Sequence, residues 1–392
     1  MEPVYIVSAV RTPIGKFGGS LLDFTAADLG VIAAKAAIER AGVNPESVEE
    51  AIFGNGRQAG GGPNVARQIG YRSGIPETSP AYTVNMACAS GLKSIALGYQ
   101  DISHGNVDCV LVGGTESMSR LPYFVENARW GFKMGDQKLV DAMYRDGFMD
   151  PLSKMLMGET AEKLAGLYKI TREEQDCFGQ ASQLRAEAAS TKGWFRDEIV
   201  PVEVKEKKTT RVLDTDEHIR HGCTIDSLTK LPPVFSKTGT VTAGNSSGIT
   251  DGAAAVVLVS SRKVKQWGLK PIARVVDYTQ VGVDPSIMGI GPVPAVRKLE
   301  GKTGWKLEDY DLVELNEAFA AQVLACDRDL HFDRDKLNVH GGAIALGHPI
   351  GCTGVRIVVT LLHALKRRGG KRGLATLCVS GGLGMALAVE MV

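Results

Sequence analysis

The chain has 392 residues, a formal net charge of +1 and 7 cysteines. Its length allows two core-forming units, and its balanced charge gives no electrostatic grip on nucleic acid or on an anionic membrane. Scattered cysteines, odd in number and without a CxxC pair, exclude a disulfide framework and a structural zinc site, so no metal is expected.

The chain opens on the strand-like Pro3 to Ala9, without a basic leader segment, and no uncharged apolar run reaches the roughly 20 residues of a spanning helix. It therefore reads as soluble and cytoplasmic, in a reducing compartment. Arg11 to Gly15 reads as a turn or loop, Ala26 to Glu39 as a helix, and Asn44-Pro45 as the start of a short helical turn. Ala51 to Gly54 is a buried strand, Asn64 to Gly70 a helix, and Ser79 to Asn85 a short buried strand. Leu92, Ile95, Ala96, Tyr99 and Ile102 then recur at helical spacing, ended by Gly105. Cys88 lies between that strand and helix, where free N–H groups favour its thiolate. Val107 to Gly113 is a strand with little alternation, as expected of one covered on both faces in a layered α/β protein.

From about residue 119 to 249 the strand–helix alternation is lost. A helix over Thr171 to Ala189 begins with a capping box, Thr171 to Glu174, and a charged segment from Val200 to Arg211 reads as a surface hairpin. Asp251 to Ser260 returns to a buried strand. The second half then repeats the first: Ile272 to Asp277 echoes the opening strand, and Leu312 to Asn316 echoes Ala51 to Asn55. Gly351 to Arg368 is a helix with Val355, Val358, Val359, Leu362 and Leu365 on one face, and Leu374 to Cys378 is a strand. The division is thus 1–118 with 250–270, an insertion over 119–249, and 271–392. Two such halves leave a cleft between matching loops. Asn316, His348 and Cys378 all lie where buried strands meet loops and so could join Cys88 in that cleft. Taken singly, Asn316 could cap the next helix, His348 could bond a turn, and Cys378 could be core.

Glycine is abundant, at 46 residues, and clusters in pairs such as Gly113-Gly114 and Gly381-Gly382 between apolar runs. Such pairs mark tight turns or close backbone approach.

Arg11 to Gly19, Asn85 to Gly91, Gly113 to Met118, Val241 to Gly248, Asn316 to Ala320, His340 to Gly351 and Cys378 to Gly384 together resemble the thiolase family, the acyl-CoA C-acyltransferases. The resemblance runs nearly end to end. It implies a layered α-β-α-β-α core of two α/β halves with a loop domain inserted in the first. It also implies Claisen chemistry that makes acetoacetyl-CoA from two acetyl-CoA or cleaves it, or in a close variant cleaves longer 3-ketoacyl-CoAs of fatty-acid degradation, in a homo-oligomer, dimer or tetramer. Coenzyme A and acyl-CoA would be substrates, with no tightly bound cofactor. Cys88 matches the acylated nucleophile, His348 its base, and Cys378 the second base that deprotonates acetyl-CoA or coenzyme A. Asn316, with His348, would hold a water that meets the enolate oxygen. The N–H groups of Cys88 and Ser380 would meet the oxyanion formed on Cys88. Ser380 departs from the glycine that many members carry. Arg220 would lie near the adenine, and Ser227, Ala243 and Ser247 along the pantetheine arm. Met157, Met288, Ala318 and Phe319 would wall the acyl end. Short-chain members often have His where this chain has Leu156, which makes the acyl pocket less polar here. Two other readings compete. A ketoacyl-synthase-type enzyme would not need the second cysteine, and a non-catalytic acyl-CoA carrier would need neither cysteine nor base.

Overall fold

The computed structural model describes residues 2–206 and 209–392. The first half runs β1 (Val4–Arg11), the two-residue β2 (Gly15–Lys16), α1 (Ala26–Ala41), β3 (Glu50–Gly54), α2 (Val65–Arg72), β4 (Ala81–Val84), α3 (Ser90–Ser103) and β5 (Cys109–Ser117). The chain then leaves the layers. It forms the hairpin β6 (Tyr123–Val125) and β7 (Leu139–Asp141), then α4 (Met157–Leu167) and α5 (Arg172–Thr191). The hairpin β8 (Val202–Glu206) and β9 (Thr209–Leu213) and α6 (Ile225–Thr229) complete this segment. It returns as β10 (Thr250–Ser260) and α7 (Ser261–Trp267). The second half runs β11 (Ala273–Gly282), α8 (Pro292–Thr303), β12 (Leu312–Leu315), α9 (Ala320–Leu330), α10 (Ala343–Leu346), α11 (Ile350–Arg368), β13 (Arg372–Val379) and β14 (Leu383–Met391).

Local chemistry sets the helix ends. Thr25 and Thr171 each accept from the N–H three residues on, and the acid there bonds back, which makes capping boxes on α1 and α5. The expected hairpin within 200–211 is present as the paired strands β8 and β9, and residues 207 and 208 between them lie outside the described residues.

The strand pairing displays the internal repeat. β3 and β5 pair in parallel, as do β12 and β13. β5 then pairs antiparallel with β10, as β13 does with β14, and β10 with β1, as β14 does with β11. β1 and β11 join by two residue pairs, Tyr5 with Arg274 and Ile6 with Ala273, so the two halves form one continuous sheet. The match to β4 in the second half is a single parallel bridge between Val313 and Leu337.

Three apolar clusters define five layers. One packs α3 and α11 between the strands of both halves, through Leu92, Ile95, Val355 and Val358. A second covers the outer face of the first half with α1 and α2, and a third covers the second half with α4, α8 and α9. This position corrects the reading of α11 as one-faced. Its residues are buried almost all round from Ile350 to Leu365, since a central helix meets a sheet on either side. Glycines permit that closeness. A Cβ on Gly114 would stand 2.2 Å from the Gly351 carbonyl oxygen, and one on Gly91 would stand 2.8 Å from it. The segment around Cys88 needs a second correction. β4 is three residues shorter than expected, half-exposed, and at the edge of the sheet rather than buried within it.

Arg11 ends β1 rather than lying in a loop, and it is fully buried. Its guanidinium meets Glu198 at 2.7 Å and Asp216 at 2.6 Å, so it ties the inserted segment to the layers. Removing one partner of a buried pair leaves the other charge unpaired. Arg11→Met should therefore cost about 3–5 kcal/mol of stability. Urea unfolding would measure that loss, and an unchanged midpoint would contradict it.

Candidate active site

Cys88 sits on a sharp turn from β4 to α3. Ala87, just before it, has φ of 44°, a left-handed conformation rare outside glycine. Side chains hold the turn. Asn85 Oδ1 accepts from the Ala87 N–H, and Ser90 Oγ accepts from the Met86 N–H while donating to the Ala87 carbonyl at 2.6 Å. A 3₁₀ turn over Ala87–Ala89 precedes α3. The expectation that a helix terminus makes Cys88 a ready thiolate is not met. Burial pushes the thiol up, against the opposing pull of Arg57 and of the Ser380 and Cys88 N–H groups. Some of its surface faces the cavity, but protein surrounds the sulfur, so desolvation wins.

The base has a defined tautomer. The Thr353 hydroxyl donates to the Pro349 carbonyl at 3.0 Å, so its oxygen must accept from His348 Nδ1–H, 2.6 Å away. That leaves His348 Nε2 unprotonated. It is buried and makes no hydrogen bond to protein. Burial first, then Arg356 and Arg57, push the His348 pKa down to about 3. The ring thus rests neutral, with a bare lone pair. His348 lies two residues before α11, and Glu116 fixes that entry. Its carboxylate accepts from Gly351 N–H at 2.8 Å, from the Gly56 and Arg57 N–H groups, and from Asn55 Nδ2. Glu116 is a positioning group that sequence reasoning did not assign. Its signal is an acid at the end of an otherwise apolar strand.

Cys378 is the next-to-last residue of β13 and is fully buried. Burial first, then the neighbouring Cys88, push its thiol well above the ordinary range. Gly381 and Gly382, with φ of 84° and 80°, take the left-handed positions of the following turn. Ser380 does not have a positive φ, so the side chain at this position leaves the turn intact. Asn316 does not cap the next helix: α9 begins at Ala320, with Phe319 in the cap position. Instead Asn316 is fully buried, with Nδ2 and Oδ1 free of protein partners. Buried polar atoms without a partner commonly mark where a ligand or water binds.

A cavity of about 490 Å³ collects most of these groups. Cys88, His348, Cys378 and Ser380 line it, as do Arg220, Ala243 and Ser247, and Leu156, Met157, Met288, Ala318 and Phe319. Asn316 and Ser227 are not in its wall. Ser227 is exposed on α6 and closes a local turn with Thr224. Arg220 donates to the Ala243 carbonyl at 3.0 Å, so its guanidinium is held at the cavity rather than loose in solvent. His340, though part of the same sequence motif as His348, is buried elsewhere against Trp194 and Phe195. Phe148, Phe235, His218 and Arg57 also line the cavity. No local pattern in the sequence distinguished them. Among the described residues, no cluster of three or more His, Cys, Asp or Glu could hold a metal ion.

Comparison with known proteins gives the same grouping. Residues 4–262 match the family described as thiolase, N-terminal domain, and residues 269–391 match thiolase, C-terminal domain. The acetyl-CoA acetyltransferase of Chromobacterium violaceum is 54% identical over 388 residues, covering 99% of both chains. That of Cupriavidus necator is 52% identical over 391 residues, covering 100% of both. The crystal structure of Bacillus anthracis acetyl-CoA acetyltransferase superposes with a TM-score of 0.98 at 46% identity, covering 100% of this chain and 99% of that one. Human mitochondrial 3-ketoacyl-CoA thiolase in complex with CoA does so at 0.97 and 48%, covering 100% and 98%. This chain belongs to the thiolase family.

Proposed function

We propose that the chain transfers an acetyl group between two acetyl-CoA molecules, making or cleaving acetoacetyl-CoA through an acyl-Cys88 intermediate. One observation carries this reading: a thiol, a bare imidazole nitrogen and a second thiol share one cavity wall. Cys88 sulfur attacks the thioester carbonyl as its proton passes to His348 Nε2. The carbonyl re-forms, the bond to the coenzyme A sulfur breaks, and His348 returns the proton to that sulfur. The N–H groups of Cys88 and Ser380, already directed at the sulfur, stabilise the oxyanion between these steps. Cys378, acting as its thiolate, then takes an α-proton from a second acetyl-CoA. The carbanion attacks the acyl carbon, the bond to the Cys88 sulfur breaks, and the proton on Cys378 passes to that departing sulfur, which restores both groups. Loss of coenzyme A-dependent cleavage of acetoacetyl-CoA in the purified protein would refute the reading.

Coenzyme A is read as lying across the segment 119–249, acting as a loop domain, because that segment contributes Met157, Arg220, Ala243 and Ser247 to the wall. Ser227 would then touch the coenzyme only outside the cavity. Asn316 is read as holding the water that meets the enolate oxygen. Asn316→Ala should lower condensation by about 10²–10³-fold, or less if the water persists. An unchanged condensation rate would remove Asn316 from the mechanism.

Leu156 lines the acyl end beside Met157 and Met288. An apolar wall gains about 0.8 kcal/mol per buried CH₂ where space exists. The kcat/KM for 3-ketoacyl-CoA cleavage should therefore rise from four to eight carbons, and a flat profile would count against the idea. A steady fall would show that Met288 and Phe319 close the pocket. A homo-oligomer is supported by the open edge of β4, and a cytoplasmic setting by seven unpaired cysteines.

A further inference from the structure

His218 lies in the cavity wall two residues before Arg220, on the inserted segment, and no step of the proposed reaction uses it. Its half-buried ring meets two stretches of backbone that hold His348. The first is α10. A helix of only four residues leaves the carbonyls of its last turn short of helical partners. The Gly347 N–H takes the Ala343 carbonyl at 2.9 Å, and side chains of the inserted segment supply the next two. Gln183 Nε2 donates to the Ile344 carbonyl at 3.1 Å, and His218 Nδ1 lies 3.1 Å from the Ala345 carbonyl. A carbonyl oxygen can only accept, so His218 carries its proton on Nδ1. Burial pushes its pKa below the ordinary value, against the pull of that carbonyl, so the ring is neutral. The Arg220 N–H donates to Gln183 Oε1 at 2.9 Å, which joins both contacts to one segment. The second stretch is Gly248, whose carbonyl accepts the His348 N–H at 2.9 Å. A Cβ on Gly248 would overlap His218 Nε2, so the ring lies directly against that glycine.

We infer that His218 is a positioning residue for the base: by donating to the Ala345 carbonyl and packing against Gly248, it fixes both stretches of backbone that hold His348, and so keeps that imidazole aimed at the Cys88 thiol. This rests on the reading of His348 as the base of acetyl transfer. The need for such support is visible at the site. The bond from His348 Nδ1 to Thr353 orients the ring, but it does not fix the backbone that carries it. Gly347, immediately before, has φ of 98°, a conformation that favours glycine, so the loop has no side-chain anchor of its own at that point. Misplacing a catalytic group by about 1 Å can cost about 10²-fold in rate. Two other roles are open to the same ring. One is a contact with coenzyme A alone, and the other is a structural clamp between the inserted segment and α10.

The rate of Cys88 acetylation by acetyl-CoA, followed by rapid quench and intact-mass spectrometry, separates the three. His218→Phe keeps a ring and loses the donor, whereas His218→Asn keeps a donor where Nδ1 stands. The maximal rate should fall by about tenfold in His218→Phe, with the half-saturating acetyl-CoA concentration changed by less than about twofold. It should recover to within about threefold of wild type in His218→Asn. In a His348→Ala background, His218→Phe should change the remaining rate by less than about twofold, since the base it positions is gone. A raised half-saturating concentration with an unchanged maximal rate would overturn the inference in favour of a coenzyme contact. An equal loss in both backgrounds, with a lowered melting temperature, would overturn it in favour of the clamp. If His218→Phe does not fold, the comparison is made with His218→Gln, whose amide reaches the place of Nε2 rather than Nδ1. A His348→Ala protein that acetylates at the wild-type rate would instead defeat the reading of His348 as base, before any His218 variant is compared.

Discussion

Cys88→Ala should abolish both covalent acetylation and turnover, a loss of about 10⁴-fold or more in kcat. The side chain lost is the only atom positioned by the Ala87 turn to bond the acyl carbon, and alanine offers no substitute nucleophile. The fold should survive. Cys88 lies at the margin of the central apolar cluster rather than inside it, and alanine removes one sulfur without adding bulk. Melting temperature and steady-state cleavage of acetoacetyl-CoA measure the two parts. A variant with substantial residual cleavage would show that the acyl group is carried elsewhere. In the wild type, alkylation of Cys88 should need moderately alkaline pH, because burial holds the thiol up, and acetyl-CoA should protect it. The exposed Cys177 serves as the internal control, since its reactivity should not respond to acetyl-CoA.

Cys378→Ala should divide the reaction. Acyl transfer to Cys88 uses His348 Nε2 as base and leaves the Cys378 proton untouched. Carbon–carbon bond formation needs an α-proton removed from the second acetyl-CoA, and a positioned acid–base group is worth about 10²–10⁴-fold. The variant should therefore accept one acetyl group and then fail to condense. The Cys378 thiol is held well above its ordinary pKa, mainly by burial, which makes its thiolate a strong base once formed.

The sequence made the repeat legible because its strands are short, apolar and punctuated by glycine. The capping box at Thr171 fixed the start of its helix to within a residue. What it hid was position in depth. Hydrophobic periodicity marks α11 as one-faced, yet the helix lies between the two halves of the sheet, where its threonines, glycines and Arg356 are also buried. A run of β-forming residues cannot distinguish a central strand from an edge, so β4 was read as buried. The site was legible as four residues in motif order, and less so as electrostatics. The dipole argument for Cys88 was local, whereas desolvation sums over everything packed around the sulfur. The tautomer of His348 depends on Thr353 and Pro349, whose bonds exist only once α11 forms. Glu116 accepts from backbone N–H groups of two segments far apart in the chain, which no linear spacing reveals.

The division of labour between the two cysteines is the centre of this account, and intact-mass spectrometry of Cys378→Ala mixed with acetyl-CoA tests it most directly. The account predicts a folded protein that gains one acetyl group, located on the Cys88 peptide, and releases no acetoacetyl-CoA. A folded Cys378→Ala protein that stays unmodified, or that carries the acetyl group on any other cysteine, would contradict it.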